Sequence, residues 1–280
     1  MTRKVTGLIV VATPIGNMAD ITERALSTLR DADVVACEDT RMTGALMARH
    51  GIGTALLAYH EHNAARMRPL LIARLQRGET VALVSDAGTP LVSDPGYKLV
   101  RAAIEAGIPV TTAPGPSAVL AALVVAGLPT DRFLFAGFLP PRSAARRTAL
   151  AEVADIRASL VFFESPTRLA ESLADMVAVL GARDAAIVRE VTKLYEEVRR
   201  APLAELEAHY AAAPAPKGEI VIVVGPPPVS EAADDAIDAA LRDALKTATL
   251  RDAVATVAAA TGAARRRVYG RALALGEGDP

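Results

Sequence analysis

One cysteine, no tryptophan and an aromatic content of 4% set the first limits on this 280-residue sequence. A lone thiol, Cys37, cannot build a disulfide framework or a cysteine-rich zinc site, and a reducing cytoplasm is the expected compartment. Few aromatics fit poorly with proteins that stack the bases of single strands on exposed rings. Neither sign of charge dominates: 31 Lys and Arg stand against 32 Asp and Glu, so there is no global basic field. Long apolar runs are missing as well. The longest, 119–128, is broken by Gly127 and falls short of the roughly 18 residues that a membrane-spanning helix takes. The apolar stretch 8–12 after Arg3-Lys4 is too short for a signal-peptide core, so no targeting segment is expected.

What is present is 51% hydrophobic, mostly Ala, Val and Leu, in a length that suggests about two domains. Apolar β-branched runs predict strands over 8–12, 34–37, 55–59, 81–84 and 110–113. Helical spacing fills the gaps at 21–29, 43–50, 64–77 and 97–106. Strand and helix in alternation with short links predict an α/β domain with a largely parallel sheet. The alternation continues from 118 to 224. Gly225-Pro226-Pro227-Pro228 is a stiff break, and only helices are predicted beyond it, over 231–245, 250–260 and 263–275. The expected organisation is an N-terminal α/β domain at 1–115, a second at 116–228 and a helical tail at 229–280.

In an open parallel sheet, ligands bind beyond the carboxyl ends of the strands, and Gly, Pro and polar residues concentrate at those ends here. After the first strand, Thr13-Pro14-Ile15-Gly16-Asn17 has too few glycines for a dinucleotide fingerprint and no Walker lysine. It is either a plain turn or a backbone contact to a ligand. After the second, Glu38-Asp39-Thr40-Arg41 reads as a helix cap, a functional cluster, or both. After the third, Tyr59-His60-Glu61-His62-Asn63 lacks the spacing of a metal motif, so no metal is expected. Ser85-Asp86-Ala87-Gly88-Thr89-Pro90 and Ser93-Asp94-Pro95-Gly96 form two acid-plus-turn units whose small residues let a ligand press on the backbone. Pro114-Gly115-Pro116-Ser117-Ala118 joins a close-approach glycine to a helix start. Phe163-Glu164-Ser165-Pro166, Arg189-Glu190-Val191-Thr192-Lys193 and Lys217-Gly218-Glu219 mark the later strands.

Taken in order, these segments resemble the tetrapyrrole methylase-like superfamily of S-adenosylmethionine-dependent methyltransferases. Within it they are most similar to the branch that methylates a cytidine ribose 2′-hydroxyl in small-subunit ribosomal RNA. Members acting on corrinoids or diphthamide have a Gly-rich first loop and Gly-Asp-Pro after the fourth strand. The single Gly16 and the Ala87-Gly88-Thr89 that follow Asp86 depart from this and favour the RNA branch. The resemblance implies two consecutive α/β domains with the methyl donor in the cleft between them, a small C-terminal helical appendage, and a homodimer. It implies donor contacts at Thr13, Pro14, Gly16, Asp86, Gly88, Thr89, Ser117, Ala118, Phe163, Glu164, Gly218 and Glu219.

A ribose hydroxyl is a poor nucleophile near neutral pH and calls for a base or an orienting group. Asp39, Glu38, His60, Glu190 and Lys193 are all candidates, Lys193 on condition that burial depresses its pKa. For RNA, Arg41 and Arg168 are expected at phosphates, with basic clusters at Arg142, Arg146 and Arg147 and at Arg265, Arg266, Arg267 and Arg271 on a helix-turn-helix-like tail. Two competing readings are a small-molecule methyltransferase, for which the basic tail is superfluous, and a non-catalytic RNA-binding assembly factor.

Overall fold

The computed structural model describes residues 6–91, 96–228 and 234–276; the expected Ser93-Asp94-Pro95 unit lies outside them. The first half contains β1 (Gly7–Val11), α1 (Glu23–Asp31), β2 (Val34–Cys37), α2 (Thr40–Arg49), β3 (Leu56–Ala58), α3 (Ala64–Gln76), β4 (Thr80–Leu83), α4 (Tyr97–Glu105) and β5 (Val110–Ala113). These strands form one parallel sheet in the order β3-β2-β4-β1-β5. Because side chains alternate along a strand, β1, β2 and β4 feed two separate cores. Ile9, Val11, Val35, Cys37 and Ala82 pack on Ala25 and Leu29 of α1. Leu8, Val34, Ala36, Val81 and Leu83 pack on Leu71 and Leu75 of α3 and Leu99 of α4. Burial on both faces explains why these strands are unbroken apolar runs.

The second half contains α5 (Ala118–Ala126), β6 (Phe133–Phe138), α6 (Ser143–Val153), β7 (Ser159–Glu164), α7 (Leu169–Leu180), β8 (Asp184–Arg189), β9 (Glu197–Pro202), α8 (Leu203–Ala212) and β10 (Ile220–Val224). Its sheet runs β6-β7-β10-β8-β9. Here the expected parallel alternation gives way to a mixed sheet. Only β6 and β7 are parallel, and β10 inserts between β7 and β8 antiparallel to both. The cause is local: β8 and β9 are joined by a short loop and pair antiparallel, which needs no crossover helix. The start of β10 therefore lies at the same sheet edge as the ends of β7 and β8, since Ile220 pairs with both Glu164 and Arg189.

Ile15, from the loop after β1, packs with Val119 and Leu123 of α5 and Val188 and Val221 of the second sheet. The two sheets thus share one compact unit, Met1–Pro226, and Pro227–Pro280 forms another. That second unit consists of α9 (Asp234–Ala244), α10 (Leu250–Thr261) and α11 (Arg265–Gly276) around Ile237, Leu241, Val254, Val257 and Val268. Thr249 caps α10, and Gly262 at φ 69° ends it in the left-handed conformation, the usual role of glycine there. Among the described residues, no helix is long and apolar enough to cross a membrane.

Candidate active site

Three loops at the carboxyl edge of the first sheet are stitched together by backbone. Thr13 and Gly88 exchange hydrogen bonds of 2.9 and 3.1 Å, and the Thr13 hydroxyl donates to the Ser85 carbonyl at 3.2 Å. The Thr89 hydroxyl donates to the Pro116 carbonyl at 3.0 Å. Against these loops lie α5 and the facing edge of the second sheet, and between them is a cavity of about 390 Å³. Gly88, Thr89, Ser117, Ala118, Phe163, Glu164, Gly218 and Glu219 all line it. Ser117 precedes α5 but its side chain makes no cap bond, so the hydroxyl and the first amides of the helix are left for a ligand. Phe163 forms edge contacts with Phe135 and Phe138 at 4.8 and 5.4 Å between ring centroids.

A second cleft of about 270 Å³ shares Ile15, Ala87 and Glu219 with the first. Thr13, Pro14, Gly16, Asp86 and Lys193 line this one. The Lys193 ammonium donates to Glu190 and Glu219, both at 2.8 Å. Two glycines make room for this arrangement. A Cβ on Gly16, at φ +146°, would lie 2.5 Å from Lys193 Cε, and one on Gly218, at φ +98°, would lie 2.5 Å from Glu190 Cδ. Glu190 also accepts from the Glu219 amide at 2.8 Å, and it holds φ at +51°, a costly backbone state for a side-chain-bearing residue. Burial pulls the Lys193 ammonium down, but the bonds from Glu190 and Glu219 more than offset it and leave its pKa raised. The condition for a free lysine base is therefore not met. The same contact with Lys193, aided by the Glu219 amide, holds Glu190 below the usual carboxylate range.

The other candidates separate from this centre. Asp39 caps α2 through the Arg41 amide at 2.8 Å and grips the Arg41 guanidinium at 3.1 and 2.7 Å. Those bonds lower its pKa to about 2, too weak a base for a hydroxyl near neutral pH. Asp86 accepts from the Asp39 amide at 3.0 Å, so its carboxylate faces the second cleft and the β2 loop. His60 and Glu38 line neither cavity; His60 Nδ1 is buried without a hydrogen-bond partner. Among the described residues no cluster of His, Cys, Asp and Glu is arranged to hold a metal.

Several expected RNA contacts are occupied elsewhere. Arg146 is 1% exposed and is paired with Asp175 at 2.6 Å, so it is removed from the RNA-facing set. Arg147 shares Asp175 but is half exposed, and Arg142 is exposed. Arg168 bonds the buried Glu164 carboxylate at 2.7 Å, the Ser165 hydroxyl and the Leu139 carbonyl. It braces the turn after β7 and does not reach for phosphate. Glu164 also accepts from Ser165 and Ser172, which makes its carboxylate part of the wall's support. In the helical unit, Arg267 pairs with Asp234 and Arg271 with Asp238, whereas Arg265 and Arg266 are exposed.

The sequence reading missed Ile15, Val119, Phe138, Ile220 and Val221, all lining the larger cavity. Phe138 could have been found, because it ends a strand parallel to β7 and so shares the ligand-binding edge. Ile15 lies in the 13–17 loop, whose reading offered only backbone to a ligand, and Val119, Ile220 and Val221 read as ordinary core.

The family model of tetrapyrrole (corrin/porphyrin) methylases matches residues 7–207, and a model described as the RsmI C-terminal HTH domain matches 231–276. The chain is 54% identical over 277 residues to ribosomal RNA small subunit methyltransferase I of Mesorhizobium japonicum, covering 97% of this chain and 94% of that protein. It is 50% identical over 219 residues to the protein of that name in Escherichia coli O157:H7, covering 78% and 77%. Among solved structures, a diphthine synthase superposes with a TM-score of 0.61 at 18% identity, over 78% of this chain and 89% of that one. That likeness carries the fold alone. With its α/β body matched along most of its length and relatives at half identity or more, the chain belongs to the tetrapyrrole (corrin/porphyrin) methylase family of S-adenosylmethionine-dependent methyltransferases, on the branch named ribosomal RNA small subunit methyltransferase I.

Proposed function

We propose that this chain methylates the 2′-hydroxyl of a cytidine ribose in small-subunit ribosomal RNA, with the donor in the larger cavity and the ribose in the second cleft. The observation that carries this reading is the pair of adjacent cavities that share Ile15, Ala87 and Glu219, with Lys193 in the second. The names of the relatives supply the substrate class.

The residues present fit S-adenosylmethionine. The larger cavity lies within the usual range for small-molecule sites, about 300–1,000 Å³. Phe138, Phe163, Ile15 and Val221 offer an apolar wall to a base, and the α5 N-terminus with Ser117 offers donors to a carboxylate. When bound, the donor supplies an electrophilic methyl on a sulfonium. The ribose oxygen gains that methyl and gives up its proton, and the donor leaves as a neutral thioether. Lys193, held as an ammonium by Glu190 and Glu219, orients the hydroxyl and stabilises negative charge on its oxygen. Glu219, which lines both cavities, is placed to take the proton. Ile15 and Ala87 line both cavities.

Ala118→Asp tests the donor site. An acid in the first turn suits the helix, so the melting temperature is expected to hold, while donor affinity falls by about tenfold or more, equivalent to ~1.4 kcal/mol. Calorimetric titration of the purified variant measures it, and unchanged affinity rules out a donor carboxylate at α5. The activity itself is tested by mass mapping of methylated ribose in ribosomal RNA from cells with and without the chain. Loss of one cytidine 2′-O-methyl is the expected result, and an unchanged map rejects the proposal. A cytoplasmic location follows from the substrate. Leu120 and Val124, one turn apart on α5 and 52% and 72% exposed, support a second copy of the chain covering them, which sedimentation of the purified protein checks.

A further inference from the structure

We infer that the groove between α10 and α11 takes an unstacked RNA nucleotide, with its base on Tyr269 and its phosphates on Arg251, Arg265 and Arg266. The inference rests on the RNA reading above and names the element that grips that RNA.

The groove is a cavity of about 510 Å³ lined by Leu250, Arg251, Val254, Arg265, Arg266 and Tyr269. Leu250 and Val254 are four residues apart on α10, so they share a face and give the groove an apolar floor. On α11, Tyr269 follows Arg265 by four residues and Arg266 by three, which puts it on a shared face with each, and Tyr269 is 47% exposed. A half-exposed aromatic over an apolar floor offers a flat face to a base, and every base has a π-face to stack there.

Charge separates this groove from the rest of the helical unit. Arg267 and Arg271 are neutralised by Asp234 and Asp238 of α9. The acids of α9 therefore hold two of the four arginines of α11 inside the fold. Arg265, Arg266 and Arg251 face the cavity and make no ion pair among the described residues. Tyr269 is the single aromatic residue between 229 and 280, and it stands among these three cations. A protein partner of ordinary composition needs no such pairing of one ring with three guanidinium groups, whereas a nucleotide uses both.

The test uses the full-length chain and filter binding to protein-free small-subunit RNA and to assembled small subunits across a salt series. Tyr269→Leu is expected to weaken RNA binding about tenfold with the salt slope unchanged, and Tyr269→Phe to restore it. Replacing Arg251, Arg265 and Arg266 together by Ala is expected to reduce the slope of log K against log salt by about 2. Donor affinity, titrated in parallel, stays at the wild-type value, and helical circular dichroism with thermal melting of each full-length variant shows that the helical unit, a compact unit of its own, is still folded. If Tyr269→Leu binds as wild type does while wild type methylates its RNA, this inference alone is overturned. Loss confined to assembled subunits overturns it too and gives the groove to a ribosomal protein. A wild type that neither binds nor methylates RNA overturns the functional reading and this inference with it.

Discussion

Lys193→Ala is expected to lower the rate of methyl transfer by about 10²–10³-fold, the usual cost of losing a donor aimed at a developing oxyanion. Donor affinity should stay within a factor of about two, because Lys193 lines the second cleft and not the cavity assigned to the donor. Lys193→Arg keeps the charge but changes the geometry, so it recovers only part of the rate. Gly218→Val gives a second check on the rate. Its side chain would occupy the space of the Glu190 carboxylate and displace the group that holds the ammonium, so transfer should slow without any change to Lys193, and because Gly218 also lines the donor cavity the rate is compared at saturating donor. The pH profile adds a further reading. Glu190 and Glu219 leave the Lys193 pKa raised, so the ammonium persists through the neutral range and no activity limb from its deprotonation appears there. Single-turnover transfer to small subunits measures all of these. A Lys193→Ala enzyme with normal single-turnover rate removes this residue from the chemistry.

Asp175→Ala is expected to destabilise the α/β body by roughly 3 kcal/mol, because it leaves a buried guanidinium with only the exposed Glu171 carboxylate, 3.7 Å away, in place of its buried partner. Arg146 and Asp175 have side chains only 2% and 4% exposed and meet at 2.6 Å, and Arg147 and Ser143 bond the same carboxylate. For a unit of this size each kcal/mol shifts the melting temperature by about 2–4 °C, so a fall of roughly 10 °C is the expected scale. Replacing Arg146 by Met and Asp175 by Leu together should recover most of it, since no charge is then stranded. By contrast, breaking the exposed Arg101–Glu105 pair on α4 should leave the melting temperature unchanged. Burial pushes the Asp175 carboxyl up, but the bonds from Arg147, Arg146 and Ser143 outweigh it and leave the pKa depressed. A depressed folded-state pKa stabilises fully above the unfolded value, near 4 for aspartate, and that stabilisation is lost as pH falls through the folded value. Acid melting should therefore be less steep in Asp175→Asn than in the wild type. Calorimetry across that range decides it, and an Asp175→Ala melting temperature equal to the wild type's contradicts the buried-pair argument.

Much of the candidate site was legible because a parallel sheet marks its carboxyl edge in the sequence. The segments at 13–17, 85–90 and 114–118 each interrupt an apolar run with Gly, Pro and polar residues, and all three meet at the two cavities. Ser117 and Ala118 were readable as a helix start, and α5 begins there. The arginines were much less legible. Arg146, Arg267 and Arg271 belong to basic clusters in sequence and Arg168 reads as a phosphate contact, yet each is committed to an acid within the fold. Charge counts show how many cations there are but not which of them face solvent.

Local residue chemistry by itself determined the strands of the first sheet, the Asp39 cap of α2, the Pro-rich break before the helical unit and the Gly-, Pro- and polar-rich loops at the carboxyl edge of the first sheet. Each of these depends on neighbours within a few residues, which a sequence displays directly. Tertiary structure alone decided three things. It placed β10 between β7 and β8, which brought Gly218 and Glu219 to the edge where β7 and β8 end. It laid Lys193 across Gly16, joining the first loop to the second sheet. And it divided the arginines into those neutralised inside the fold and those left exposed. Apart from the local Arg168–Glu164 pair, the deciding contacts join residues far apart in the chain, and no periodicity or spacing records which distant group will come to lie within 3 Å.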